Sequence, residues 1–313
     1  METINHAYQK KINMTDSSSG SKDFSRAKPP WLRQRMPLPG SIARVKEIVK
    51  DGGLQTVCVE AHCPNQMECF SSGTATFLLL GPSCTRHCTF CAVSKSPVNA
   101  PDPDEPDRTA KAVSEMKLAF CVLTMVTRDD LPDGGALHIA KAIEAIREKC
   151  PGVGVEVLIS DLAGNKDALE TVFASKPEVL NHNIETVPRL YPEVRPQASY
   201  NRSLKLLGRA SSHKPPMVIK SGLMLGLGET KEEVLGSMHD LRKVGCLSLT
   251  LGQYLAPSDQ HHPVIRYVPP EEFADYEAAA LALGFSAAAS FPLVRSSYRA
   301  EELYHTARNH LPP

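Results

Sequence analysis

Short apolar, β-branched runs recur along the chain from residue 74 onward: TATFLLL at 74–80, LAFCVLTMV at 118–126, GVEVLIS at 154–160, VLNHNI at 179–184, MVIKSGLML at 217–225, CLSLTLGQYL at 246–255 and FSAAASFPLV at 285–294. Between them lie stretches with apolar residues at helical spacing, the clearest at 136–150, 231–245 and 270–284. Strand, helix, strand at this spacing predicts repeated βαβ units. Such units require parallel strands covered by helices, in a doubly wound sheet or in a full or partial barrel. In each case ligands gather at the C-terminal ends of the strands.

The pattern upstream differs. Residues 1–28 are polar, with TDSSSGSKD at 15–23, and predict a loose tail. KPPWLRQRMPLPG at 28–40 holds four prolines and the only tryptophan, which predicts an extended segment lying against a surface. SIARVKEIVKDGG at 41–53 predicts a short helix with Ser41 as its cap and a glycine stop. Farther on, SKSPVNAPDPDEPDRTA at 94–110 is acidic, proline-rich and aperiodic, so a surface loop is expected. Beyond the βα alternation there is no internal repeat.

Composition narrows the class. The 313 residues are 42% hydrophobic and 22% charged, enough to build one large core or two modest ones. Lysine plus arginine equal aspartate plus glutamate at 35 each, so there is no basic field for nucleic acid or an anionic membrane. No run nears the roughly 18 apolar residues of a membrane span, and the N-terminus lacks a signal pattern. A cytoplasmic protein is expected.

Nine cysteines change the picture, because six fall within 58–91 while Cys121, Cys150 and Cys246 are scattered in apolar or helical surroundings as small hydrophobes. A chain of this size without secretory features has no need of a disulfide framework, so metal or catalytic thiolates are the better expectation. Cys84, Cys88 and Cys91 stand in C-x3-C-x2-C spacing on a loop leaving a predicted strand. Structural zinc prefers four ligands in paired C-x2-C arrangements. Iron–sulfur clusters also usually take four thiolates, so three suggest a cluster with one iron open to a substrate. A structural zinc or an electron-transfer cluster remains the alternative. Cys58, Cys63 and Cys69, spaced C-x4-C-x5-C, fit neither paired zinc ligands nor a common ferredoxin run and suggest a second cluster.

With Phe90 before its last cysteine, the CTRHCTFC loop resembles the radical S-adenosylmethionine (SAM) superfamily. That resemblance implies a 4Fe-4S cluster whose open iron chelates SAM, reductive cleavage to a 5'-deoxyadenosyl radical, and hydrogen abstraction from an unactivated carbon. The two trios in this order resemble the lipoyl synthase family. So do RDDLPDGGA at 128–136, NHNIETVPRLY at 181–191, KSGLMLGLGET at 220–230, LTLGQYLAPS at 249–258 and PLVRSSYRAEEL at 292–303, and the likeness covers roughly residues 29–303.

The family likeness implies an α/β fold, a partial parallel (βα)6 barrel of radical SAM type over 74–290. An N-terminal extension, 29–73, would carry auxiliary-cluster cysteines, and a C-terminal extension, 291–313, would carry the RSSY serine. It further implies two 4Fe-4S clusters and SAM, with sulfur insertion at C6 and C8 of a protein-bound octanoyl-lysine. Cys58, Cys63, Cys69 and Ser297, in preference to Ser296, would hold the cluster that supplies the sulfur. An oxygen ligand is harder than thiolate and suits a cluster that must come apart. The expected partners are an octanoylated lipoyl-carrier domain or glycine-cleavage carrier protein, and a flavodoxin or ferredoxin as electron donor.

Asp133, Gly134 and Gly135 resemble the element receiving the methionine amino group, the glycines permitting close backbone approach. Asn181 and Glu185, ending a predicted strand, suit ribose hydroxyls, and Arg195 and Arg202 suit carboxylates. His182 is read as a hydrogen-bonded structural histidine. GLMLGLGE lacks the phosphate-loop lysine and is read as a tight strand-to-helix turn beside the adenosine. The chain departs from the family where Met125 replaces serine, where Ile159–Leu162 replaces a proline-aspartate-phenylalanine run, and where Phe291 replaces glycine. Another sulfur-inserting radical enzyme, of methylthiotransferase or biotin synthase type, would share Cys84, Cys88 and Cys91 without needing RSSY; a non-enzymatic iron–sulfur protein would not cleave SAM.

Overall fold

A computed structural model describes residues 28–33 and 42–311, so the expected tail over 1–27 and the cap at Ser41 lie outside the described residues. The strands are β1 Gln55–Thr56, β2 Thr76–Leu79, β3 Phe120–Met125, β4 Gly154–Leu158, β5 Val179–Asn181, β6 Val218–Leu225, β7 Ser248–Gln253 and β8 Ala287–Ser290. The helices are α1 Ala43–Asp51, α2 Val57–Glu60, α3 Gln66–Ser71, α4 Glu105–Met116, α5 Ala136–Lys149, α6 Lys166–Ala174, α7 Tyr191–Val194, α8 Tyr200–Ser211, α9 Lys231–Lys243, α10 Pro270–Ala282 and α11 Ala300–Arg308. All seven apolar runs became strands, and they line up in chain order as parallel neighbours, joined by six crossovers. β1 adds an antiparallel edge beside β2 that the sequence pattern did not reveal. At two residues it is too short to show a period.

Two expectations need correcting. Within the segment expected to be extended, Pro30–Leu32 forms one 3-10 turn between extended Pro29 and Arg33, because proline at its first position already holds the helical φ. Residues 34–40 lie outside the described residues. The acidic loop ends early: Glu105 opens α4, with Pro106 in the first turn, where a missing N–H costs nothing. α4 then buries Ala110, Ala112, Val113 and Met116, a spacing diluted in the sequence by its charged first turn. α9 starts in a capping box, Thr230 and Glu233 each bonding the other's backbone.

Paired residues share a face of the sheet. Phe77, Leu123, Val157, Leu180, Ile219 and Leu249 lie on the helix-covered face and belong to the main core. The other face carries the row Leu78, Thr124, Leu158, Asn181, Lys220, Ser248 and Ala287. There Lys220 Nζ meets both Glu156 carboxylate oxygens at 2.9 Å, with both side chains buried. α11 lies on this face and touches β3, β6, β7 and β8, with Tyr304 stacked on Phe120 at 5.4 Å. β3 and β8 are five strand spacings apart, about 24 Å in a flat sheet, whereas a nine-residue helix spans only about 13 Å. The sheet therefore curls around α11 as a partial barrel, and Val179, Val218, Ala287, Ala289 and Phe291 form a second apolar cluster with Leu303 and Ala307.

On α10, Glu277 is buried against β8, and burial pushes its carboxyl up to about 7 against a backbone bond with Ser290. The folded pKa exceeds the unfolded one, so this group's stabilising contribution is full below about pH 4.5 and is lost as pH rises through about 7. Glu277→Gln is expected to flatten that limb and raise stability at pH 8 by about 1 kcal/mol after solvent screening. Denaturant melts at pH 5 and pH 8 check it.

Candidate active site

The strand ends collect the chemistry. The cluster loop leaves β2, is closed at its base by Cys84 N–H donating to Ser94 O at 2.9 Å, and is strapped on three sides. Thr85 N–H donates to Thr127 O after β3, and Thr89 N–H to Val194 O in the segment after β5. His262 N–H, from the segment after β7, donates to Thr89 O. Cys84 Sγ accepts the Arg86 N–H at 3.4 Å. The nine cysteines are free thiols.

Burial pushes Cys91 and Cys58 up to about 11 and Cys69 to about 12. Each bare thiol therefore keeps its proton until a cation replaces it. Lys95 and Arg195 act on the Cys88 trio and Arg295 on Cys63, so each set has a cation nearby. Among the described residues no three Cys, His, Asp or Glu side chains close in on one metal ion. The donor set, two groups of three soft thiolates, fits two clusters with an open corner each.

The segment after β5 fits a bound nucleotide. Four polar atoms between residues 181 and 195 are buried without a partner among the described residues: Asn181 Oδ1, Asn183 Oδ1, Thr186 Oγ1 and Arg195 Nε. A Cβ on Gly222 would come within 2.6 Å of Thr250 Oγ1 and 2.9 Å of Asn183 Oδ1, so that strand position must stay bare. Asn181 donates through Nδ2 to Glu156 at 2.9 Å. Glu185 sits at φ 65° with its carboxyl accepting from Asn183, and burial pushes it up against the pull of Arg195 and Arg295. Strain of this kind in a non-glycine residue marks functional ground.

Other sequence expectations fall differently. Asp133 commits both oxygens to backbone amides around the start of α5, from Gly135, the N-cap residue, and from Leu137. Gly135, at φ 93°, has no room for a Cβ, which would meet Leu80 Cδ1 at 2.3 Å. Met125 packs beside it on the helix face of the sheet. Arg202 does meet a carboxylate, but that of Asp161, at 2.7 Å. His182 is fully buried between Ile159 O and Ser203 Oγ, and burial pushes it down to about 4, as a neutral structural histidine requires. Only the second half of GLMLGLGE is a turn: 222–225 complete β6, and 226–229 lead to α9, with Glu229 accepting the Gly226 and Leu227 amides.

The C-terminal segment meets the first trio. Tyr298 N–H donates to Arg295 O, which closes a turn with Ser296 and Ser297 at its tip. Asn65 Nδ2 donates to Leu293 O at 2.6 Å and Tyr298 OH to Glu68 at 3.1 Å, so bonds on both sides of the turn reach the helix and loop that carry Cys63 and Cys69. Asn65, Glu68, Arg86 and Asp161 were missed in the sequence. For Arg86 there was a signal: a charge set between two cysteines of the trio.

The sequence model of the radical SAM superfamily matches residues 78–241. Solved structures agree on the fold: HydG, a maturase of the [FeFe]-hydrogenase, has a TM-score of 0.53 at 15% identity over 80% of this chain and 63% of its own. Streptococcus suis SuiB bound to precursor peptide SuiA has a TM-score of 0.54 at 11% identity over 72% of this chain and 50% of its own. The site and barrel are thus those of a radical SAM enzyme, for which SAM and a 4Fe-4S cluster follow from the superfamily. Among curated proteins, lipoyl synthase of Chlorobium phaeovibrioides is 55% identical over 87% of this chain and 96% of its own. That of Acidithiobacillus ferrooxidans is 53% identical over 89% and 88%, and that of Desulfotalea psychrophila 51% over 94% and 98%. The chain belongs to the lipoyl synthase family. No helix among the described residues is long and apolar enough to cross a membrane.

Proposed function

We propose that the enzyme inserts two sulfur atoms, at C6 and C8, into an octanoyl chain on a carrier-protein lysine. The single observation that carries this reading is the turn holding Ser296 and Ser297, tied to the first cysteine trio through Asn65 and Glu68. A serine held there completes a three-cysteine set with an oxygen, and a soft cluster keeps such a ligand weakly. When bound, SAM and the cluster at Cys84, Cys88 and Cys91 supply a hydrogen-abstracting radical, and the auxiliary cluster at Cys58, Cys63, Cys69 and Ser297 supplies sulfur.

The chain's own part is placement. Asn181 Oδ1 offers an acceptor to a ribose hydroxyl. Arg195, with Nε free and its Nη1 fixed on the carbonyls of Asn183 and Ile184, offers a preset donor to a carboxylate. Since Arg202 is engaged by Asp161, the carboxylate falls to Arg195. Gly134 and Gly135, at φ 63° and 93°, take the left-handed backbone of the element after β3, which we read as receiving the methionine amino group. We read 29–73 and 291–313 as extensions that close over the barrel, a lipoyl-carrier or glycine-cleavage carrier domain as the substrate's bearer, and flavodoxin or ferredoxin as the reductant.

Anaerobic reconstitution with iron and sulfide tests the reading, followed by incubation with SAM, reductant and an octanoylated lysyl peptide. About eight irons per chain and a peptide gaining two sulfurs are expected by iron assay and mass spectrometry. A peptide gaining a methylthio group, or none with SAM uncleaved, would point to the other enzyme type or to a carrier.

A further inference from the structure

Asp161, at the end of β4, lies beneath the cluster loop and is the most completely enclosed acid near it. Its Oδ1 accepts from Arg86 Nη2 at 2.6 Å and from Ala163 N–H at 3.1 Å, and its Oδ2 accepts from Arg202 Nε at 2.7 Å. Its side chain is 0% exposed and that of Arg86 only 4%. Arg86 stands between Cys84 and Cys88 and also forks onto Asp129 after β3, at 2.7 and 2.8 Å. One carboxylate therefore joins three segments: the cluster loop, its own strand end, and the start of α8.

The backbone beside it is strained. Leu162 and Ala163 both adopt left-handed φ, 47° and 51°, ahead of Gly164 at 80°. Two successive non-glycine residues in that region persist only where their surroundings hold them, and such strain collects at functional sites. The strain has a use here. It turns Leu162 onto Gly134, where a Cβ would meet the Leu162 side chain at 3.3 Å, while Asp161 faces Arg86. The β4 loop thus touches both the cluster loop and the glycine element after β3.

We infer that Asp161 is a positioning residue for SAM: through Arg86 it sets the orientation of the Cys84–Cys91 loop, and through Leu162 it keeps that loop in register with Gly134 and Gly135. Charge-assisted bonds to a forked guanidinium fix angle as well as distance, which neither lysine nor a neutral amide reproduces. The inference rests on membership of the radical SAM superfamily and not on sulfur insertion. Removing the charge leaves Arg86 paired with Asp129 and Arg202 with its half-exposed side chain hydrated, so the fold tolerates the test.

The test uses holoenzyme with both clusters loaded and no octanoyl peptide, so that its outcome is separate from the proposed reaction. Asp161→Asn keeps the shape but turns an amide N–H₂ onto one of the two guanidinium groups. We expect it to raise the SAM concentration needed to alter the EPR spectrum of the reduced cluster at least tenfold, with iron content unchanged. Arg86→Lys is expected to do the same, and the double variant no more than either alone, as for two partners of one interaction. Unchanged SAM titration in Asp161→Asn would overturn the inference, as would additive effects in the double variant or iron loss in proportion to the loss of SAM response. Should Asp161→Asn not fold, unchanged titration in Arg86→Lys overturns it equally.

Discussion

Replacing Cys69 by alanine is expected to stop sulfur transfer to an octanoylated peptide while SAM cleavage continues. The loss should reach at least about a thousandfold, roughly 4 kcal/mol of transition-state stabilisation. Cys69 lies on α3, in the trio whose other members, Cys58 and Cys63, it meets electrostatically. Cys84, Cys88 and Cys91 sit on the separate loop after β2, held by Ser94, Thr127, Val194 and His262. None of these four straps passes through α3, so losing one thiolate there leaves the loop intact. Formation of 5'-deoxyadenosine, measured with dithionite as reductant, should then stay within about threefold of the parent's uncoupled rate, and iron should fall from about eight to about four per chain. If cleavage and sulfur transfer vanish together, the two trios do not divide the work.

The parallel strands were legible in the sequence because they are buried on both faces and read as apolar runs; that pattern left a doubly wound sheet and a barrel open, and the barrel came from the family resemblance. Seven such runs gave seven parallel strands. α4 was not legible, since its first turn is the acidic, proline-bearing end of a loop and only the second half shows apolar spacing. The six clustered cysteines stand out by spacing alone. What spacing cannot convey is which long side chain reaches across strand ends: Arg86 to Asp161 spans 75 residues and Asn65 to Leu293 spans 228. Arg202 shows the same limit from the other direction. A forked donor predicts a carboxylate partner, and here the partner is a residue of the chain rather than a ligand.

Phe291 shows how a departure is absorbed. Its buried ring joins Val294, Ala289 and Leu303 in the apolar cluster around α11, against which Tyr298 of the serine turn also packs. The space beside that turn is controlled by Gly252, at the end of β7. Gln253 N–H donates to Pro292 O at 3.0 Å there, and a Cβ on Gly252 would come within 2.0 Å of Val294 O and 3.2 Å of Arg295 Nη1. No listing of apolar runs could single out this glycine, because the contact is with backbone 42 residues later in the chain.

Gly252→Ala should therefore act at a distance on the auxiliary site. The obstacle is a carbonyl oxygen, which cannot swing aside as a side-chain end does, so segment 292–295 must shift. That displaces the Leu293 carbonyl from Asn65 and, with it, the turn bearing Ser296 and Ser297. Overpacking of this sort costs about 1–3 kcal/mol, and the Asn65–Leu293 bond weakens as the carbonyl moves. A misplacement near 1 Å lowers rate by about a hundredfold, so sulfur insertion should fall by that order while 5'-deoxyadenosine formation is kept. Gly236→Ala, on α9 with nothing within 4 Å of the added methyl, is the control. There the change should stabilise the helix by about 0.5–1 kcal/mol and leave sulfur insertion alone. Equal activity in the two variants would mean that the C-terminal turn need not be held where Gly252 allows it to sit, and the serine would then have no part in keeping the cluster.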